Sequence, residues 1–232
     1  MSTKPIEWKR LFTEGIVILV SILLAFSIDA WWSERQQYRE AESQVDRVLT
    51  EMRANLAILK AQDGYLDGAI EGARELLILC GPDPVPTKPS KLAALVGRIY
   101  GVPVLSLERS ASDEFLSSGH LTIGLGSELR NSLSYTLSNV RISENSSLEL
   151  RAMRPEMVRH MQSHFSGLDL VRGHELMQDY PSSRFVSDSQ SLLSDMYFEG
   201  LIANYTIRME INRRSIEHLS KRYESLIAEV EA

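Results

Sequence analysis

Glu156, His160 and His164 follow one another at intervals of four, so in a helix they lie along one face. Two histidines four apart have a spacing that binds zinc, and a carboxylate nearby extends the ligand set. The order is not His-Glu-x-x-His, so the metalloprotease pattern is absent. The plainer expectation for this stretch is a solvated polar stripe on an amphipathic helix.

A second group, Ser117, Ser118 and His120 with Asp113 or Glu114, holds the residue types of a nucleophile, a base and an orienting acid. No Gly-x-Ser-x-Gly turn surrounds it, and small polar residues are also what a helix end needs. The single cysteine, Cys80, excludes an internal disulfide and a cysteine-based metal cluster. Next to Gly81 at a helix C-terminus, its thiol is expected to sit high and to behave as a small buried hydrophobe. There is no Walker loop, dinucleotide fingerprint or Cys-x-x-Cys pair, so no cofactor is expected. Glu14 and Asp29 are the remaining candidates. They flank an apolar run, where ionisable groups either relay ions or protons or simply face the lipid headgroups.

That run is the element around which the chain is organised. Gly15 to Ile28 is fourteen residues without a charge. With its flanks, Leu11 to Trp32 reaches the roughly 20 residues that a helix needs to cross about 30 Å of hydrocarbon. Lys4, Lys9 and Arg10 before it and Ala25-Phe26-Ser27 near its end also suit a signal peptide. Glu7 and Glu14 dilute the basic end, however, and the helical pattern runs past Ser27 without a break. Trp8 at one end and Trp31 and Trp32 at the other stand where interfacial aromatic belts do. A buried core helix is the other rival, and the flanking tryptophans argue against it. The reading is a membrane anchor over residues 1–32, with Glu14 and Asp29 at its two interfaces. Basic residues are nearly balanced across it, with Arg35, Arg39 and Arg47 on the far side. The charge closest to the span predicts a cytoplasmic N-terminus. In a bacterial inner membrane, that leaves the bulk in the periplasm.

Of 232 residues, the first 32 hold three basic and three acidic side chains, so the remainder carries the whole formal charge of −6. That balance excludes a nucleic-acid-binding role, which needs a basic face. The remainder, 33–232, is long enough for one domain with a true core.

Its pattern is helical almost throughout. Val45, Leu49, Met52, Leu56 and Leu59, then Leu66, Ile70, Ala73 and Leu77, step by four and three, a heptad-like seam. The anchor is therefore expected to continue as one long amphipathic helix over 33–80, with Gly64, Gly68 and Gly72 permitting a bend or close packing. The Pro-rich run Gly81–Pro86 stops it. Over 81–126 the reading is short helices and loops. Ser90 caps one helix, Val102-Pro103-Val104 is extended, Ser110 opens a second helix with Asp113 at capping-box distance, and Gly119 closes it. A helix pair is expected over 127–166, opening at Ser127 and kinked or broken at Pro155. An irregular stretch, 166–187, precedes a C-terminal helix over 189–231. Met209, Asn212, Ile216, Leu219, Tyr223, Leu226 and Val230 give the last helix its own seam, a natural partner for 33–79. No convincing strand is present. The fold class is all-α, an antiparallel helical bundle behind a transmembrane helix.

Two blocks carry a resemblance. GIVILVSILLAFSIDAWWSERQQYREAESQVDRVLTEMRANLAIL and SASDEFLSSGHLTIGLGSELRNSLSYTLSNV resemble, in that order, the start and middle of a family of uncharacterised single-span bacterial membrane proteins. In that family a span is followed by an acid or amide, one or two tryptophans and a charged helix. Asp29, where an amide is common, and the second tryptophan, Trp32, depart from the pattern. The resemblance implies architecture and no activity, and it implies that the Ser117–His120 stretch is a turn docking one helix pair on another. The expected function is a membrane-anchored helical scaffold, interaction or sensor-like protein without enzymatic activity. Its expected partners are the lipid bilayer and a second copy or another membrane protein. The alternatives are a subunit of an ion- or proton-handling complex using Glu14 and Asp29, and a metal-dependent enzyme using Glu156, His160 and His164.

Overall fold

Helix α1 runs from Trp8 to Leu79, 72 residues without a break, which at 1.5 Å per residue is about 108 Å. A computed structural model describes residues 8–118, 126–168, 181 and 183–231; those residues are predominantly helical and hold no strand. The Gly119 stop and His120 lie outside the described residues, as do the side chain of Trp8 and most of 166–187.

Three zones follow one another along α1. From Glu14 to Trp32 every residue is exposed, and none of the apolar window is buried by the rest of the fold. This zone is long and apolar enough to cross a membrane. Its internal hydroxyls are satisfied within the helix: Ser21 donates to Val17 O and Ser27 to Leu23 O, each at 2.8 Å, as hydrocarbon surroundings require. The next turns, 33–43, form a polar stalk with no tertiary cover beyond a half-buried Ala41. Arg35 lies over the Trp31 ring and Arg39 over Trp32, at 5.9 and 5.8 Å, so each cation caps an aromatic where the apolar zone ends. From Gln44 onward one face of α1 is buried.

Short helices follow: α2, Pro89–Tyr100, and α3, Ser110–Ser117. Pro89 opens α2 from its first turn, where a missing N–H costs nothing, and Lys88 rather than Ser90 is the N-cap. Helix α4, Gly126–Met161, is one continuous element of 36 residues with Pro155 inside it, not a pair. Helix α5, Ser189–Leu193, is a single turn and a half. Helix α6, Met196–Glu231, again has 36 residues. The expected single helix over 189–231 is thus interrupted at Ser194-Asp195, because the Asp195 carboxylate caps a new start by accepting from Tyr197 N at 2.7 Å.

Helix α6 lies antiparallel to α1 and fits its buried face with heptad regularity. Phe198, Ile202, Tyr205, Met209, Asn212, Ile216, Leu219, Tyr223 and Leu226 are buried, which is the expected seam extended toward the N-terminus, and Val230 packs at its edge. The facing stripe on α1 is Val48, Met52, Asn55, Leu59, Gln62, Leu66, Ala69, Ala73 and Leu76. It is centred a little to one side of the expected seam. Leu49 and Ile70 are buried and Val45, Leu56 and Leu77 half-buried, while two polar residues occupy the middle. Ion pairs fix the register at steps of seven. Arg53 meets Glu231, Lys60 meets Glu224 at 2.9 Å and Arg74 meets Glu210 at 2.5 Å. The missing rung would set Asp67 against Glu217. Arg213 covers it, reaching Asp63 at 3.0 Å, Asp67 at 2.7 Å and Glu217 at 3.5 Å.

Helix α4 packs on α6 antiparallel, pairing Ser143 with Ser215, Glu149 with Arg208 and Arg154 with Tyr205, and therefore runs parallel to α1. An extended strap, residues 102–109, closes the gap between α1 and α4. It buries Val102, Leu105 and Leu107, but it has no strand beside it to take its backbone polar groups. Side chains from both helices do so instead. On the α1 side, Gln62 donates to Pro103 O at 2.8 Å; Asn55 donates to Glu108 O at 2.7 Å and accepts from Glu108 N at 2.9 Å. On the α4 side, Ser147 accepts from Leu105 N at 2.9 Å, Glu144 from Leu107 N at 3.0 Å, and Arg154 donates to Val102 O. Glu51 of α1 then caps α3, accepting from Ala111 N at 2.7 Å and Ser112 N at 3.2 Å. Helix α2 lies close on α1 at Gly72, where a Cβ would stand 3.2 Å from Arg98 Cβ; Gly64 and Gly68 face open space.

Candidate functional site

At the end of the bundle farthest from the apolar zone, the last turn of α4 meets the junction of α5 and α6. His160 leaves α4 one residue before its end, and His164 follows in the turn that Phe165 closes by donating its N–H to Met161 O. Asp195 stands in the break between α5 and α6 as the N-cap of α6. One oxygen, Oδ1, takes Tyr197 N, which leaves Oδ2 facing both imidazoles. His160 Nε2 stands 2.9 Å from Oδ2 and His164 Nε2 3.7 Å from it. The other ring nitrogen of His164, Nδ1, is 3.0 Å from Ser191 Oγ. The His160 ring is met edge-on by Tyr197 at 4.9 Å and stacked by Phe198 at 6.3 Å. One donor atom from each of His160, His164 and Asp195 lies within 4.8 Å of the others. All three are partly open to water.

Asp195 is charged here. Desolvation alone pushes its carboxyl up, but the amides of Tyr197 and Phe198 and the adjacent His160 outweigh that and hold it below the usual value. Glu156, the carboxylate expected to join the histidines, is elsewhere. It accepts a 2.5 Å hydrogen bond from Tyr197 OH, which raises that phenol's pKa. The third member of the cluster comes instead from a residue 31 positions beyond His164 in the chain. Its only mark in the sequence is that of a helix N-cap.

The remaining candidates do not converge. Ser117 Oγ donates to Glu114 O and Ser118 Oγ to Phe115 O, both at 2.9 Å, as helix-end serines do. Ser118 Oγ also reaches Gln44 Oε1 at 3.0 Å, and Glu114 pairs with Arg47 at 2.9 Å. His120 lies outside the described residues. Cys80 is half-buried against the core, and burial, then the Glu199 carboxylate, push its thiol up to about 11. Glu14, Asp29, Trp31 and Trp32 are all exposed on α1, the first at one end of the apolar zone and the others at its far end. Protein-family models, curated proteins and solved structures yield no match to this chain.

Proposed function

We propose that the chain is a membrane-anchored helical interaction protein, a scaffold or sensor-like module held on a rigid stalk above a bacterial inner membrane. The observation that carries this reading is the continuity of α1, one helix from apolar zone through stalk into the bundle. A displacement at either end of such an element is passed to the other without an intervening hinge. The stalk of 33–43 corresponds to about 16 Å of rise. It sets the bundle clear of the headgroups and leaves space for a partner. Trp31 and Trp32 with Arg35 and Arg39 above them mark the outer interface, and the resemblance to single-span bacterial membrane proteins agrees with this arrangement.

The bundle also narrows where partners can bind. Both long seams are filled within one chain by α1, α6, α4 and the strap, so neither remains for a coiled coil with a second copy. The stalk offers only Tyr38 as a large exposed ring or aliphatic side chain above Trp32. The apolar span, exposed along its whole length, is the surface we propose for association with a second copy or another membrane protein. Paired reporters fused to the C-terminus, one active only in the cytoplasm and one only outside it, test the topology. An active extracytoplasmic reporter is expected. A cytoplasmic C-terminus would overturn the periplasmic placement, and recovery of the chain in the soluble fraction would overturn the anchor.

A further inference from the structure

We infer that His160, His164 and Asp195 form a binding site for one transition-metal dication, zinc being the natural occupant, at the end of the bundle farthest from the apolar zone. This inference does not rest on the membrane reading. The donor set is two imidazoles and a carboxylate, a combination that suits zinc and its neighbours; calcium and magnesium prefer oxygen alone. Ligands of about 2.0–2.1 Å in a tetrahedral shell stand about 3.3 Å from one another. The two nitrogen-to-oxygen separations, 2.9 and 3.7 Å, bracket that spacing, and every donor lies within 4.8 Å of the others. Small side-chain rotations would bring the three donors to that spacing.

The surroundings favour a cation over a simple ion pair. One carboxylate oxygen faces two ring nitrogens, and at 3.7 Å His164 Nε2 is too far for a hydrogen bond to it. When His164 Nδ1–H donates to Ser191 Oγ, 3.0 Å away, Nε2 turns a lone pair toward Asp195. Two electron-rich groups then face one gap, which a dication fills. Ser191 would hold the ring in the metal-binding tautomer, a role that partners of ligating histidines commonly play. Asp195 Oδ1 is meanwhile engaged by Tyr197 N, so the cap role holds the carboxylate with Oδ2 turned toward the imidazoles, where it pairs with His160 Nε2 at 2.9 Å; a metal would take the place of that one hydrogen bond. Three protein ligands and partial exposure leave a position for water. The ligands join the end of α4 to the start of α6, so occupancy clamps the two helices that carry the far end of the bundle.

The test uses the full chain purified in detergent without a histidine tag, stripped with chelator and titrated with zinc chloride. Binding is followed by calorimetry and, with cobalt chloride, by visible absorption. One equivalent per chain is expected, with cobalt absorption typical of a four- or five-coordinate site. His160→Gln and His164→Gln are each expected to weaken zinc at least 100-fold and abolish the cobalt bands. Ser191→Ala should weaken zinc about tenfold, and His218→Gln, at a histidine on α6 outside the cluster, should change nothing. Asp195→Asn keeps the oxygen that caps Tyr197 N, so its loss of binding reads the ligand role and not a folding defect. Circular dichroism of each variant confirms that the helices remain. Absence of stoichiometric zinc, or zinc binding that survives both histidine substitutions unchanged, overturns the inference.

Discussion

Asn55 stands at the centre of a hydrophobic seam, 1% exposed, flanked at heptad spacing by Met52 and Leu59. Pattern reasoning alone says that leucine there should stabilise the α1–α6 interface, because burying an extra aliphatic side chain contributes about 1.5–3 kcal/mol. The structure gives the opposite sign. Asn55 mimics a neighbouring strand, exchanging two hydrogen bonds with the backbone of Glu108 at 2.7 and 2.9 Å, and its amide also lies 3.4 Å from Tyr223 OH. Each lost bond costs about 1 kcal/mol net, and a backbone group left partly buried without a partner costs about 1–3 kcal/mol. Leucine has the branched shape of asparagine but neither donor nor acceptor, so its aliphatic gain is offset by the Glu108 backbone groups that it leaves unpaired. Asn55→Leu is therefore expected to destabilise the bundle by about 2–3 kcal/mol. Asn55→Asp should do no better, since it keeps the acceptor for Glu108 N, loses the donor to Glu108 O and buries a charge. Urea titration of the full chain in detergent, followed by far-ultraviolet circular dichroism, reads the difference as a lower midpoint at unchanged slope. An Asn55→Leu midpoint at or above that of the parent would refute the idea that side chains substitute for a strand partner along the strap.

Other perturbations separate the remaining features. Arg213→Gln should cost about 1 kcal/mol at low salt and less at high salt, because Asp63, Asp67 and Glu217 are then left facing one another; a loss independent of salt would mean that Arg213 acts by packing alone. Cys80 should react with iodoacetamide at pH 8 about 100-fold more slowly than a free thiol, since a shift from 9.0 to about 11 removes about that factor of thiolate. The linked effect on stability has a fixed sign. The thiol's folded pKa is raised, so its contribution is fully present below pH 9 and is lost as pH climbs toward 11; a midpoint that rises over that window would contradict it. Gly81→Ala should lower the melting temperature, because Gly81 has φ +150° and its N–H donates to Leu193 O at 3.0 Å.

What was legible in the sequence was the set of long periodic elements. The α6 seam from Met209 to Leu226 could be read residue by residue, because its only polar member, Asn212, sits among five repeated apolar or aromatic positions. The seam on α1 was legible in position and length but slightly misplaced in phase. Asn55 and Gln62 are core residues that a hydrophobic pattern scores as surface, and the groups that explain them lie 53 and 41 residues away. Hydrogen-bond partners at that distance leave no local trace. The same limit applied to the cluster at the far end. Glu156 was an attractive third partner because it shares a helix face with His160. Asp195 reaches the cluster only once α6 has folded back along α4. Pro155 implies a kink or a break, and of the two the break is absent, since α4 passes through it. Arg154 beside it donates to Tyr205 OH at 3.2 Å and to Val102 O, and these tie the helix to α6 and the strap at that point.

The register ladder shows how one acidic rung serves specificity. Arg53, Lys60 and Arg74 meet Glu231, Glu224 and Glu210 at intervals of seven, and each exposed pair contributes only about 0.2–1 kcal/mol. Such pairs do little for stability. A slip of α6 by one heptad, however, leaves most apolar positions matched, so hydrophobic burial discriminates poorly between registers. The charges discriminate better. A slip that moved Arg213 seven residues along α1 would take it from Asp63 and Asp67 to the neighbourhood of Ile70 and Arg74 or of Leu56 and Lys60. It would also leave the acidic pair uncovered. The same argument explains why Asn212 is tolerated at zero exposure. Its amide reaches Ser143 O only at 3.5 Å and its carbonyl oxygen has no partner among the described residues. It is thus a poor stabiliser, and Asn212→Leu is expected to raise the urea midpoint, opposite in sign to Asn55→Leu. Two buried asparagines on the seam, one bonded twice to backbone at 2.7 and 2.9 Å and the other only once at 3.5 Å, make that pair of substitutions an internal control. If both shift the midpoint in the same direction, side-chain volume rather than hydrogen bonding governs the seam.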